Sequence, residues 1–255
     1  MILHVSSIAE RFSLALEDVR EPRLAVPELL PVQLARACAR TLGVDAAGLS
    51  VTAGEAGRAP LGASSATADL AERLQFTAGD GPCESAHRNQ EPVFAATADM
   101  QRRWPAFARL LAEHTPYRAV VALPIGETLA GPGALDLFFT DEAAVPRLDV
   151  FEAMAVGDLT CAALGDAAVW APWSPRGGPA WLHGPAAQRR ALVWTAIGRV
   201  SMAHDTTAPA ALDVLRAAAA RTGRTVDDLA GDVVAGRLDP TFLPAPDDLP
   251  PAPRG

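Results

Sequence analysis

The run DAAVWAPWSPRGGPAWLHGP, from Asp166 to Pro185, sets the first bound on what this chain can fold into. Its prolines and glycines sustain neither a helical period nor strand alternation. It therefore reads as a linker over 166–186 that separates two folding parts, which suits a chain of 255 residues. Trp170, Trp173 and Trp181 are costly to leave in water, so the linker is predicted to dock on a domain surface or across a dimer and to couple the two parts.

Before the linker, periodicities alternate. Pro27 to Gly43 places Leu30, Leu34, Ala37, Cys38 and Leu42 on one helical stripe and ends on a glycine suited to a C-cap. AAGLSVTAG and RAPLGASS, split by Gly54 to Gly57, read as a two-strand hairpin, and Ala66 to Leu74 as a short helix. Phe76 to Val93 opens with a turn at Gly79, Gly81 and Pro82 and closes on the strand PVFAA. An amphipathic helix over Trp104 to His114, the strands RAVVALPI and GALDLFF, and a helix over Arg147 to Leu164 complete the series. The fold class is α+β: helices flanking one antiparallel sheet over 20–165, preceded by an extension at 1–19.

After the linker the pattern is wholly helical over 187–238. Leu192, Val193, Ala196, Ile197 and Val200 mark the buried face of the first helix. Thr207 is placed as N-cap of the second, with Pro209 in its first turn, Ala211, Leu212, Leu215 and Ala218 as its stripe, and Gly223 at its end. Thr225 and Asp228 form a capping-box pattern for the third, whose core positions are Val226, Leu229, Ala230 and Val233. The proline-rich tail, 239–255, is expected to be disordered.

Charge and spacing narrow the chemistry. The formal net charge is -8, yet Ala187 to Leu238 holds seven Arg and five Asp, hence +2, leaving -10 elsewhere. This balance argues against nucleic acid binding anywhere but the carboxy-terminal helices, where the excess is modest. Cys38, Cys83 and Cys161 form neither a disulfide framework nor a zinc pattern, and the histidines show no ligand spacing, so no metal or cofactor is expected. No phosphate loop and no Gly-x-Ser-x-Gly elbow is present, so no enzyme is expected. Met1 to Arg20 lacks the apolar core of a signal peptide, and no later run is read as a membrane span, which points to a cytoplasmic protein. Cys83 near a glycine turn could be a reactive sensor thiol. With no basic neighbour in sequence, a small buried residue is the favoured reading.

Specific strings add a resemblance. Leu74-Gln75-Phe76-Thr77-Ala78-Gly79-Asp80-Gly81-Pro82-Cys83, then Ala86 and Glu91-Pro92-Val93, is similar to a segment of the actinobacterial GAF-ANTAR regulators. Leu42 to Leu49 and Gly133-Ala134-Leu135-Asp136-Leu137 support it. Ala196-Ile197-Gly198 stands where ANTAR modules carry Ala-x-Gly, and Arg221-Thr222-Gly223-Arg224 where they carry Arg-Thr-Asn-Arg. Asp228-Leu229-Ala230 and Val233-Val234 continue that register without a gap. The likeness covers roughly Arg20 to Leu238. It implies a GAF-like sensor joined to a three-helix module that binds paired RNA stem-loops and opposes transcription termination, with a homodimer and a small-molecule ligand of the sensor as further expectations.

The resemblance marks Ala196, Gly198, Arg199, Arg221 and Arg224 as RNA-contacting residues. Ala196 and Gly198 would offer a flat surface to loop bases, and the arginines would meet phosphates. The ordinary readings are close helix packing for the small pair and a solvated face for the arginines. This chain carries Ala203, Thr225 and Asp227 where the family offers basic residues, which lowers the expected phosphate attraction. The other reading is a ligand-sensing or protein-docking protein whose helical module no longer binds RNA.

Overall fold

The computed structural model describes residues 6–52, 58–170, 173–175 and 177–246. The chain divides into two compact units, one made of 1–75 and 80–187, the other of 76–79 and 188–255.

The first unit is α+β. Helix α1 (Ile8–Asp18) starts at Ser7, whose hydroxyl and the Glu10 carboxylate cap each other's backbone, and it buries Phe12 and Ala15. Helix α1, within the 1–19 extension, therefore contributes Phe12 and Ala15 to this unit's core. Helix α2 (Leu30–Leu42) ends at Gly43 with φ 63, the left-handed cap expected of that glycine. Strands β1 (Ala46–Thr52) and β2 (Arg58–Ala63) pair antiparallel as the predicted hairpin, whose Gly54 to Gly57 turn lies outside the described residues. Then follow α3 (Ala66–Ala78), α4 (Pro82–Asn89), β3 (Val93–Ala96), α5 (Thr97–Arg103), α6 (Pro105–His114), β4 (Ala119–Thr128), β5 (Gly131–Phe139) and α7 (Val150–Trp170). The sheet order is β2-β1-β5-β4-β3, and every pairing is antiparallel.

Strand alternation divides the chemistry of the two sheet faces. Leu49, Val51, Val121, Leu123, Leu135 and Leu137 belong to the apolar core under α1, α2 and α7. The alternate positions, including Gly48, Ser50 and Asp136, belong to the face met by α3 and α4.

Three local expectations change. Pro82 opens α4, although the preceding glycines suggested only a turn; its fixed φ favours a first helical turn. Helix α7 runs six residues beyond Leu164, to Trp170, because nothing before Pro172 breaks it. It is also long and apolar enough to cross a membrane by length and composition, contrary to the sequence reading, while Ala153, Val156, Thr160, Leu164 and Ala168 pack in the core. Of the three linker tryptophans only Trp181 docks, fully buried in the first unit's core, whereas Trp170 and Trp173 stay exposed.

The second unit holds α8 (Pro185–His204), α9 (Ala208–Thr222) and α10 (Val226–Val234). Thr207 and Thr225 cap as expected, and Gly223 takes φ 64. Val193, Ala196, Val200, Val214, Leu215, Leu229 and Val233 form its core, joined by Phe76 from the 76–79 segment. Leu192, expected inside, is exposed. Leu243 of the tail is buried against this core, so order extends past Leu238, and 247–255 lie outside the described residues.

Candidate functional site

Six polar side chains converge beneath α3 and α4 in the first unit. Arg58 on β2 donates through Nε to Ser50 Oγ on β1 (2.8 Å) and through a terminal nitrogen to Asp136 Oδ2 on β5 (2.8 Å) and to Glu72 on α3. Gln75, one helical turn past Glu72, donates to Asp136 Oδ2 (3.1 Å) and accepts from the backbone N–H of Cys83 (2.9 Å). The Cys83 thiol lies 3.7 Å from Ser50 Oγ. Glu72, Gln75, Ser50, Cys83 and Asp136 are all buried.

Two glycines make room for this cluster. Gly48 faces Asp136 directly in the β1/β5 register, and a Cβ there would overlap the Glu72 carboxyl. A Cβ on Gly81 would overlap the Gln75 amide. Strand residue identity on this face is thus set by the acid above it, a close approach that only glycine allows.

One guanidinium faces two carboxyl groups in a site closed to water, so full ionisation would leave an uncompensated negative charge. Burial, together with the neighbouring Asp136, pushes the Glu72 carboxyl well above the usual carboxylate range, and the Arg58 charge only partly opposes this. Glu72 is accordingly a carboxyl whose hold on a proton this site strengthens. Burial also pushes the Cys83 thiol up, against the pull of Arg58. A buried, protonated thiol is a poor nucleophile, in keeping with the favoured sequence reading of Cys83. Cys38 is raised to about 12 by burial.

A pH dependence follows, with its sign. Glu72 binds its proton more tightly in the folded chain, so above 4.5 the native state carries more protons than the unfolded one and stability falls with rising pH. Glu72→Gln keeps a neutral, isosteric group. It is expected to track the wild type in acid and to gain on it above that point by up to about 1.4 kcal/mol per pH unit. Thermal denaturation at stepped pH measures this, and parallel curves would mean that Glu72 is ionised throughout.

The second unit carries the residues marked by the sequence. Ala196 is fully buried in the helical core, so its small side chain serves packing. Gly198 is exposed, and an added Cβ would meet nothing within 4 Å, so close packing does not explain it. Arg199 is exposed and donates to the carbonyls of Val233 (2.8 Å) and Val234 (3.0 Å) in the last turn of α10. Arg224 reaches Asp232 (2.6 Å) and the carbonyl of Asp228 (3.2 Å), and Arg237 joins it on Asp232 (2.6 Å). Arg221 is exposed on the last turn of α9. Arg199, Arg224 and Arg237 thus gather at the carboxy-terminal half of α10, and Arg237 was not foreseen.

Two of the three positions that depart from the basic pattern have structural duties. Thr225 caps α10, and Asp227 is buried in an ion pair with Arg190 (3.6 Å). Its negative charge is therefore compensated inside the unit instead of facing solvent. Ala203 is exposed and neutral. The guanidinium of Arg190 also lies 3.3 Å from the centre of the Phe76 ring, with Trp194 edge-on to that ring at 6.3 Å.

Arg58, Glu72 and Gln75 escaped the sequence reading. The available signals were Asp136 and Ser50, polar residues inside otherwise apolar strands, and the i, i+3 spacing of Glu72 and Gln75 on one helix face. No group of three or more potential metal ligands occurs among the described residues.

Neither the family models nor the curated proteins compared with the chain give a match. Among solved structures, the chain is similar to the GAF domain of a phosphoenolpyruvate-protein phosphotransferase from Coxiella burnetii. The TM-score is 0.40 and the identity 14%, over 64% of this chain and 96% of that one.

Proposed function

We propose that this chain is a cytoplasmic, signal-responsive regulator of transcription: the α+β unit senses, and the helical unit binds structured RNA in antitermination. The observation that carries the reading is the exposed backbone at Gly198 together with the guanidinium groups of Arg199, Arg224 and Arg237 at the end of α10, and of Arg221 at the end of α9. Paired with the ANTAR-like strings, these groups are the components that RNA loops and phosphates require: an unobstructed backbone and several exposed or partly exposed cations. Sensing is assigned to the first unit on its likeness to GAF sequences, with a small-molecule ligand as the signal that shifts the population of binding-competent states.

Binding of the full chain to a tandem stem-loop RNA, titrated across salt concentrations, tests the reading. Arg221→Ala with Arg224→Ala is expected to weaken binding and to lower the salt slope by about one per lost phosphate contact. Asp232→Asn is expected to tighten it, since it removes the carboxylate that occupies Arg224 and Arg237. No affinity for the RNA, or a slope indifferent to all three changes, would leave the helical unit as a docking element only.

A further inference from the structure

A cleft of about 550 Å³ opens in the first unit beside α2 and the end of α7, within the range of roughly 300–1,000 Å³ that holds small organic ligands. Its walls are Pro22, Val26, Leu30, Ala167 and Ala180, with the Trp181 ring among them. Val26 is left 46% exposed there, an apolar group that the unit's own packing does not cover. The linker builds one wall. Its Gly184 backbone approaches the Glu28 carbonyl so closely that a Cβ would sit 2.6 Å from that oxygen, which seats Ala180 and Trp181 against the short turn at Pro27–Leu29. On the sheet face under α3 and α4, by contrast, the Glu72 and Gln75 side chains occupy the space beside Gly48 and Gly81.

Three polar groups that line the cleft lack a partner among the described residues. The Trp181 indole N–H is buried without an acceptor. Gln33, itself buried, donates its amide N–H to the Leu24 carbonyl (2.6 Å), while its own carbonyl oxygen accepts from no described residue. Arg20 is exposed and makes no ion pair, whereas Glu21, the other charged group of the lining, is held by Arg23 and Arg36. A donor, an acceptor and an unpaired cation set among apolar walls define the complement they require.

We propose that this cleft binds a small aromatic acid that carries a ring N–H or O–H. The flat apolar body displaces water from the prolines, Leu30 and the Trp181 ring. The carboxylate brings the negative charge that Arg20 lacks and acceptor oxygens for the donors of the cleft, and the ring donor meets the Gln33 carbonyl. An amine is repelled by Arg20, and a purely aliphatic acid leaves the Gln33 oxygen unmet. Because the linker forms one wall, occupancy also favours its docked state on the first unit.

Isothermal titration of the full chain with indole-3-acetate and with 4-hydroxyphenylacetate tests this. Saturable binding of at least one acid is expected, with a Kd below about 1 mM. Tryptamine, which keeps the indole N–H and reverses the charge, should bind about tenfold more weakly or not at all. Arg20→Gln should weaken the acids about tenfold and leave thermal denaturation unchanged, since that side chain is exposed. Ala25→Trp, which fills the cleft from an exposed lining position, should abolish binding. Binding of neither acid, equal binding of tryptamine, or acid binding indifferent to either variant would overturn the proposal. That the occupant is the signal rests on the sensing role proposed for the first unit; the titration uses no RNA, so failure of this site and failure of RNA recognition are read separately.

Discussion

Arg58→Met is expected to destabilise the first unit by about 3–5 kcal/mol, the cost of breaking a buried charge arrangement from one side. The guanidinium satisfies Ser50, Glu72 and Asp136 at once, and its removal takes away the one positive charge beside Asp136, leaving it the Gln75 amide and its hydrogen bond with Glu72. Solvent does not repair this loss, since Asp136 is completely buried. Chemical denaturation followed through the midpoint and slope measures the change. Combining Arg58→Met with Glu72→Gln and Asp136→Asn should recover much of it, because neutral groups avoid the uncompensated charge. A single variant within about 1 kcal/mol of the wild type would show that the cluster is solvated and not the buried network described above.

Leu215→Ala is expected to cost the helical unit about 2–5 kcal/mol. Leu215 is completely buried on α9, where it packs in the cluster with Val193, Ala196, Leu229 and Val233. A unit of this size has only a few kcal/mol in reserve, so the loss is comparable to its whole stability. Hydrogen exchange of amides across Ala208–Thr222 and Val226–Val234 reads the effect directly, with protection falling in both helices together. Leu215→Met, which keeps volume, should cost under about 1.5 kcal/mol. Retained protection in Leu215→Ala would mean that these helices do not share one core.

Much of the architecture was legible without coordinates. Capping signals at Thr207, Thr225 and Gly223 located the helices of the second unit, since each satisfies backbone groups within its own turn. The hairpin and the β4 and β5 strands were equally readable, because alternation and turn residues act over a few positions. The α4 helix was not, as its amino-terminal glycines argue locally for a turn while its buried face is fixed by the sheet beneath it. The arginines of the helical unit could be named from spacing, but not the contacts that hold them. Only the fold sets Arg199 on the last carbonyls of α10 and places Arg224 and Arg237 on one carboxylate.

The class of each segment is therefore written in the chain itself: a mixed helix and strand half, a Pro/Gly break, three short helices, and a cationic excess confined to the last of these. Those properties depend on neighbours within one or two turns of the chain. Folding in three dimensions was needed to bring Arg58, Glu72 and Asp136, drawn from β2, α3 and β5, into one closed site, and to hide Ala196 while leaving Gly198 bare. It also selected which side of α7 remains in water. The reason is physical: charge compensation and burial depend on distances across the fold, and residues that are 14 or 78 positions apart in the chain meet only when the sheet has closed.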